Sequence, residues 1–260
     1  MSPLYAVIGG SGLYNLGDDF VEERKNFVKT PYGATSAEII RGTWQNLPVV
    51  FLARHGESHK IPPHQINYRA NLYALKEEGV THVIAVNAVG GISPSYEPKT
   101  IALPDQIIDY SWGRAHSFSG ADSGASDNDE IQHIDFTYPY SSSLRALIAE
   151  SGIEASIKFQ SSGVYGCTNG PRLETKAEIT KMSRDGCDMI GMTGMPEASL
   201  ARELGIEYAS IALVVNWCAG VNEIESTTSK ITMEQIMRVL EQGLQPVKQL
   251  ILLTLKRANQ

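Results

Sequence analysis

The sequence has few cysteines, no excess of basic residues and no long apolar run. The three cysteines, Cys167, Cys187 and Cys218, are an odd number without C-x-x-C spacing, which argues against a disulfide framework and a zinc cluster. Apolar runs such as 211–215 fall far short of the ~20 residues that a membrane span needs, and the first residues lack the basic start of a signal peptide. We therefore expect a cytoplasmic protein without a metal centre.

Acidic residues outnumber basic ones. The 260 residues include 22 Lys and Arg against 29 Asp and Glu, which gives a formal net charge of −7. Proteins that bind nucleic acids or anionic membranes usually carry clustered basic residues, so neither is an expected partner. Since 42% of the residues are hydrophobic, a chain of this length can bury a full core.

Short apolar runs rich in β-branched residues alternate with stretches of helical periodicity, which predicts an α/β fold. The predicted strands are 5–8, 49–53, 82–86, 101–103, 189–191 and 209–215. The predicted helices are 66–78, 175–184, 197–204 and a long C-terminal helix that opens at a capping box of Thr232 and Gln235, with a bend at Pro246. No linker divides the chain, so residues 1–260 are expected to form a single domain with a largely parallel or mixed central sheet flanked by helices.

Segment 117–130 departs from this pattern because its residues are small, polar and acidic. A solvated surface loop is the simplest interpretation. The alternative is a lid that closes over an active site.

A glycine turn, Gly-Gly-Ser-Gly at residues 9–12, directly follows the first predicted strand. Glycines allow a tight turn whose backbone N–H groups face an anion, and Ser11 adds a hydroxyl donor. The turn does not match the dinucleotide fingerprint, because Asn15 stands in place of the last glycine of that motif. It does not match the nucleophile elbow either, because Leu13 stands in place of its last glycine. By itself it indicates an anion site or a tight turn.

Arg54 and His55 follow the second predicted strand within an Arg-His-Gly-Glu motif. A planar guanidinium beside an imidazole suits phosphate. Two functions compete: His55 as the phosphate-accepting nucleophile of a histidine phosphatase, or both residues as binders of inorganic phosphate. In the phosphatases the motif normally lies on the first strand, which favours phosphate binding here. A third interpretation gives the pair a structural role only.

Three further strand ends carry polar residues. Asn87 and Ala88 begin a glycine turn, Thr193 lies in a strand-to-helix turn, and Asn216 closes an apolar strand. Each has an explanation in turn chemistry alone. Together with the first two turns, they predict a site at the carboxyl edge of the sheet.

Segments 9–12, 52–79, 170–175 and 191–197 together resemble the trimeric purine nucleoside phosphorylases, most closely the branch of methylthioadenosine and methylthioinosine phosphorylases. The resemblance runs from about residue 5 to residue 255 and is weakest in segment 117–130. It implies cleavage of an N-glycosidic bond by inorganic phosphate, which yields a purine and a ribose 1-phosphate. Phosphate is then a co-substrate, and no cofactor or metal is expected.

The resemblance also implies a role for each candidate residue. Phosphate would be held by Ser11, Arg54, His55, the turn of Asn87 and Ala88, and Thr193, while Met192 would lie against the ribose. The base would be surrounded by Leu173, Glu174, Asn216 and Cys218, the 5′ substituent would be flanked by Met233 and Ile236, and His133 would reach a neighbouring subunit's site in a homotrimer. This family often has Thr in place of Asn87, so the Ala88 amide has the firmer support as a phosphate ligand.

The base can be predicted from two positions. Methylthioadenosine phosphorylases carry aspartates where this chain has Asn216 and Cys218. An Asn amide donates to the 6-oxygen of hypoxanthine while its carbonyl accepts the N7 proton, whereas a carboxylate would repel that oxygen. Glu174 can accept the N1 proton, which adenine lacks. We therefore expect a 6-oxopurine, with ~10–100-fold discrimination against the amino base.

The 5′ end is predicted to be apolar. Ordinary inosine phosphorylases place a histidine near the 5′ hydroxyl, and this chain has none after His133. Met233, Ile236 and Met237 offer a pocket for a methylthio group, although ordinary amphipathic core would give the same pattern. Methylthioinosine is the expected substrate, with inosine and methylthioadenosine as alternatives and a catalytically silent nucleoside-binding module as a more distant one.

Breaking the bond leaves positive charge on the ribose and negative charge on the purine. We expect phosphate to act as electrostatic partner and nucleophile, without a covalent enzyme intermediate. Asn216 would then stabilise the protonated N7 of the leaving base, and His55 would act at the phosphate.

Overall fold

The computed structural model describes residues 3–120, 131–221 and 231–260. In chain order the strands are β1 (Tyr5–Gly9), β2 (Phe20–Asn26), β3 (Lys29–Thr30), β4 (Gly33–Ala34), β5 (Ile39–Trp44), β6 (Leu47–Ala53), β7 (His82–Gly91), β8 (Ile101–Ala102), β9 (Gln106–Asp109), β10 (Val164–Cys167), β11 (Met189–Gly191) and β12 (Glu207–Trp217). The helices are α1 (Tyr68–Glu77), α2 (Ser142–Glu154), α3 (Lys176–Arg184), α4 (Glu197–Glu203) and α5 (Met233–Ala258), with a 3-10 turn at Pro63–Gln65.

A 10-stranded mixed sheet forms the centre of the fold, with the order β2-β5-β6-β1-β7-β11-β10-β9 and with β12 paired to β7 and β8. Its middle is parallel, because β1 pairs in parallel with β6 and β7, and β12 pairs in parallel with β7. β2, β5 and β6 are antiparallel, as are β11 and β7. β3 and β4 pair separately. The predicted α/β fold with a mixed central sheet is confirmed.

The predicted strands lie where nearly every residue is buried. β1, for example, is buried from Tyr5 to Gly9, and its apolar run makes that visible in the sequence. No prediction covers β2, whose residues 21–25 are exposed and mostly charged. β5, β9, β10 and α2 also lie outside the predicted elements. β2 and β9 end the sheet order, and such edge strands, like the half-exposed helix α2, lack the continuous apolar run of a strand that is buried on both faces. β5 and β10 lie inside the sheet, and their short sequences carry no such run either.

Helices pack on the sheet and on one another, with α5 against β12 and α2, and α4 against β12 and α1. α5 begins at the predicted capping box: the Thr232 side chain accepts from the Gln235 backbone N–H, and the helix runs through Pro246. In the described ranges, no helix is both long enough and apolar enough to cross a membrane. Residues 121–130 lie outside the described part, so the loop and the lid both stay predictions.

Candidate active site

A cavity of about 370 Å³ lies at the carboxyl ends of β1, β6, β7, β11 and β12. Most predicted site residues line it: Ser11, Arg54, His55, Ala88, Leu173, Glu174, Met192, Thr193, Asn216, Cys218, Met233 and Ile236. Asn87 and His133 do not line it. The volume is within the range of small-molecule sites, roughly 300–1,000 Å³.

The turn after β1 contains glycines because other segments of the protein pass close to it. A Cβ at Gly10 would lie 2.5 Å from the Val86 carbonyl oxygen and 3.1 Å from Nη1 of Arg54. The Leu13 N–H donates to the Gly10 carbonyl at 3.1 Å and closes the turn. Ser11, the next residue of the turn, lines the cavity together with Arg54.

Arg54 is fully buried and forms an ion pair with the equally buried Glu197. Its Nε donates to Oε2 of Glu197 at 2.6 Å, and its Nη2 donates to Oε1 at 2.7 Å. Nη1 donates to the Val86 carbonyl at 3.0 Å. Burial alone would lower the pKa of Arg54, but the Glu197 carboxylate outweighs it and the pKa is raised. The guanidinium thus stays charged in the cavity wall.

His55 lies next to Arg54 in a fixed tautomer. Its Nδ1 is 2.9 Å from the Ile61 carbonyl oxygen, and since a carbonyl only accepts, Nδ1 carries the proton. Burial lowers the pKa of His55 to about 4, and the charge of Arg54 contributes in the same direction. The ring is therefore neutral at pH 7, and Nε2 keeps a lone pair that can accept a hydrogen bond.

The side chain of Asn87 does not line the cavity and is 1% exposed. Its Nδ2 donates to Oγ1 of Thr193 at 2.8 Å, and its Oδ1 accepts from the Ser210 hydroxyl at 2.7 Å. Because Thr193 accepts from Asn87, its own hydroxyl proton is free to point elsewhere. Asn87 is thus placed to orient Thr193, and the cavity wall on β7 begins at Ala88.

Asn216 reaches the cavity through a β-bulge in β12. Val214 pairs with Val89 and Asn216 with Gly90, so Val215 is the extra residue. Successive side chains of a regular strand point to opposite faces, but here Val215 and Asn216 both line the cavity. The Asn216 amide is fixed, since its Nδ2 donates to the neighbouring Trp217 carbonyl at 2.7 Å.

Glu174 and Cys218 complete this end of the cavity. An oxygen of Glu174 accepts from the Thr168 hydroxyl at 2.6 Å. Burial, together with the charge of Glu174, raises the pKa of the Cys218 thiol, so the thiol stays neutral. A Cβ at Gly90 would lie 2.6 Å from Cys218 Sγ, which explains the glycine there. Among the described residues that line the cavity, Glu174 is the acidic one.

Apolar side chains line the cavity between its two ends and at its rim. Met192 lies in the turn after β11, Ile236 is buried on α5, and Met233 at the start of α5 is 67% exposed. Met237 was predicted to join this pocket but does not line the cavity, whereas Ile231, which no prediction includes, does.

Arg114 does not line the cavity but supports two of its segments, and sequence reasoning missed it. Its Nη2 donates to the carbonyls of Asn169 and Met192 at 3.0 and 2.8 Å, and its Nη1 donates to the Met195 carbonyl. These bonds tie the loop before Glu174 to the turn that carries Met192. Arg114 follows an edge strand, and no local motif marks it.

Glu197, Tyr208 and Ser210 were missed as well. Glu197 contacts the cavity residue Arg54, while Tyr208 and Ser210 hold Glu197 and Asn87 behind the wall, and all these contacts exist only through the fold. Within residues 3–120, 131–221 and 231–260, no three His, Cys, Asp or Glu side chains are grouped to hold a metal ion.

The chain belongs to the phosphorylase superfamily, whose sequence profile matches residues 4–252. With an anion turn, an arginine, an amide and a carboxylate around one cavity at the strand ends, it is a nucleoside phosphorylase, a pentosyltransferase. Enzymes of the nucleoside phosphorylase family use inorganic phosphate as a co-substrate.

Known proteins similar to this chain include a probable S-methyl-5′-thioinosine phosphorylase from Pseudomonas syringae pv. tomato, 49% identical over 94% of this chain and 95% of its own length. A 6-oxopurine nucleoside phosphorylase from Pyrococcus furiosus is 39% identical over 96% of this chain and 91% of its own. Among solved structures, methylthioadenosine phosphorylase from Schistosoma mansoni in complex with adenine has a TM-score of 0.89 at 28% identity, covering 98% of this chain and 91% of its own.

Proposed function

We propose that the enzyme cleaves S-methyl-5′-thioinosine with inorganic phosphate, which releases hypoxanthine and 5-methylthioribose 1-phosphate. The observation that carries the proposal is the layout of one cavity, with anion donors at one end, an amide and a carboxylate at the other, and methionines between them. Each end fits one part of the two substrates. The relatives named for methylthioinosine and 6-oxopurine nucleosides support the same reaction.

At the phosphate end, Ser11, Arg54, His55, the Ala88 amide and Thr193 hold the co-substrate in this proposal. Neutral His55 accepts, through Nε2, a hydrogen bond from a protonated phosphate oxygen. Asn87 contributes through the backbone turn and by holding Thr193, not by direct contact of its side chain. No metal or organic cofactor takes part.

At the base end, Asn216 and Glu174 read the oxopurine, with Leu173 and Cys218 beside them. The Asn216 carbonyl accepts the N7 proton, and its second amide hydrogen donates to the 6-oxygen. Glu174 accepts the N1 proton. A neutral thiol at position 218 adds no second carboxylate that would repel the 6-oxygen.

At the ribose, Met192 packs against the sugar while Met233 and Ile236 surround the methylthio group. Thioether and aliphatic side chains adapt to an apolar 5′ substituent and give a 5′ hydroxyl no partner. Phosphate attacks C1′ as the bond to the base breaks, so the phosphate charge faces the developing positive charge of the ribose. Asn216 stabilises the leaving purine, and His55 and Arg54 hold the nucleophile.

We propose one domain, residues 1–260, because a continuous sheet and α5 together build the cavity. Three buried, unpaired cysteines agree with a reducing, cytoplasmic location.

This function predicts the outcome of a direct comparison of three nucleosides. Base release should require phosphate and be fastest for hypoxanthine from methylthioinosine, with adenine release from methylthioadenosine slower by about 10–100-fold because its amino base leaves Glu174 and Asn216 mismatched. Base release is followed with and without phosphate for methylthioinosine, methylthioadenosine and inosine side by side.

A preference for methylthioadenosine would contradict the predicted binding of a 6-oxopurine. Equal use of inosine would contradict the predicted preference for an apolar 5′ substituent. Release without phosphate would move the enzyme to the nucleosidases. Binding of nucleoside and phosphate without turnover would make it a sensor, and a phosphorylated His55 would make it a phosphatase.

We also propose that the enzyme is a homotrimer in which His133 of one subunit reaches the cavity of the next. His133 is exposed and lies outside the cavity of its own chain. The segment that carries it runs beside β9, the last strand in the sheet order, since Gln106 donates to the Thr137 carbonyl. Trp112, Ile131 and Tyr138 are 74, 71 and 70% exposed there, as an uncovered contact face would be.

A charged residue in this face should separate the subunits. We expect Trp112→Glu to give a monomer by light scattering and to raise the KM for nucleoside, because the partner's His133 is lost. His133→Ala should keep the trimer and raise the same KM. A wild-type monomer with full activity would contradict the proposal.

A further inference from the structure

A group of three buried side chains lies behind the phosphate end of the cavity. The Glu197 carboxylate accepts two hydrogen bonds from the side edge of the Arg54 guanidinium, formed by Nε and Nη2. Its Oε1 also accepts a hydrogen bond from the Tyr208 hydroxyl at 2.8 Å. Arg54 and Glu197 have no exposed surface, and Tyr208 is 2% exposed. Burial raises the pKa of Tyr208 well above its usual value, so its hydroxyl keeps the proton that it donates.

The hydrogen-bond partners of Arg54 determine which edge remains for a ligand. A guanidinium has five N–H hydrogens in a planar fork. Glu197 takes the hydrogen on Nε and one on Nη2, and the Val86 carbonyl takes one on Nη1. The two that remain, one on Nη1 and one on Nη2, belong to the two nitrogens at the end of the fork.

Arg54 lines the ligand cavity, and its Nη1 lies close to the glycine turn, since a Cβ at Gly10 would be 3.1 Å away. Two parallel N–H groups match two oxygens of a phosphate. A guanidinium rotated about its own axis would present a different edge, so the direction of the fork decides whether the match is made.

We propose that Glu197, fixed by Tyr208, is a positioning residue that aims the end of the Arg54 fork at the phosphate co-substrate. Neither residue touches phosphate. The inference rests on the proposed function in that phosphate is the ligand. A buried ion pair adds little net stability compared with apolar side chains of similar size, so its presence beside the cavity fits a role in orientation better than one in stability.

Glu197→Gln tests the proposal because the variant keeps the size of the side chain and one oxygen acceptor but loses the fork-to-fork pair. We expect the KM for phosphate to rise about tenfold or more, while the KM for nucleoside changes less than about twofold. Tyr208→Phe should raise the phosphate KM by about threefold, since it removes one hydrogen bond to the carboxylate.

Tyr140→Phe is the matched control for Tyr208→Phe. The Tyr140 ring stacks on Tyr208 at 6.1 Å and is equally buried, but among the described residues its hydroxyl has no hydrogen-bond partner. This variant removes a buried hydroxyl from the same cluster without touching Glu197. The phosphate KM should therefore stay at the wild-type value.

A purely structural role gives a different result. Both Glu197→Gln and Tyr208→Phe would then lower the melting temperature and the fraction of active enzyme, with both KM values unchanged, and the proposal would be overturned. It would also be overturned if Tyr140→Phe raised the phosphate KM as much as Tyr208→Phe does.

Phosphate alone separates this inference from the proposed function. We expect inorganic phosphate to raise the melting temperature of the wild type and to do so much less for Glu197→Gln. If the wild type gains stability from phosphate but releases no base, the proposed reaction fails while the positioning role is still tested. If phosphate does not stabilise the wild type, the result contradicts both the proposed phosphate site and the positioning role of Glu197.

Discussion

Asn216→Ala should lower kcat about 10²–10³-fold while leaving the KM for phosphate and the melting temperature close to wild type, because removal of one preorganised polar group at a developing charge has an effect of this size. The negative charge grows on the purine as the glycosidic bond breaks. A side chain that stabilises the protonated base acts mainly in the transition state, so its loss appears in kcat more than in KM.

The structure supports this expectation through the way in which Asn216 is held. The bulge in β12 directs it into the cavity, and the bond from Nδ2 to the Trp217 carbonyl fixes the rotation of the amide. The carbonyl oxygen and the second amide hydrogen remain for the base. A preorganised group of this kind does not have to reorient when charge develops, which is what makes its effect large.

Asn216→Asp is the companion variant. It keeps the shape of the side chain, but it replaces the donor by a second acceptor. We expect it to shift the preference from methylthioinosine towards methylthioadenosine, since a carboxylate accepts from the 6-amino group and repels the 6-oxygen. Steady-state kinetics on both nucleosides, at saturating phosphate, measure kcat and KM for each. Near-full turnover by Asn216→Ala would show that the residue has no part in leaving-group stabilisation.

The position of the site followed from the sequence because it depends on a rule of topology. Apolar runs buried on both faces mark the central strands, and the residues that follow them, such as Ser11, Arg54 and Asn216, meet at the carboxyl edge of the sheet. The mixed part of the sheet was harder to predict. β2 exposes most of its residues, so the periodicity of its sequence carries little information about pairing.

The directions of side chains within the site could not be predicted in the same way. Asn87 follows a buried strand just as Arg54 does, yet its amide is engaged by Thr193 and Ser210, which lie 106 and 123 residues away in the sequence. Glu197 is 143 residues from Arg54. Partners at such distances meet only through the tertiary fold, and local patterns contain no sign of them.

The pair of Arg54 and Glu197 yields the second large effect. We expect Arg54→Met to destabilise the enzyme by about 3–5 kcal/mol, because it leaves the buried Glu197 carboxylate without its counter-charge. Tyr208 still donates one hydrogen bond to that carboxylate, but one hydroxyl replaces only part of what two N–H donors and a full positive charge supply. Chemical denaturation followed by fluorescence measures the change in unfolding free energy.

The double variant Arg54→Met with Glu197→Leu separates stability from function. Replacing both members of a buried ion pair by apolar side chains of similar size is often neutral, so much of the lost stability should return. Phosphate binding should not return with it, because the N–H groups at the end of the fork are gone. If the double variant regained phosphate stabilisation and activity along with its fold, Arg54 would be a structural residue, and Ser11, His55 and Thr193 would have to hold phosphate without it.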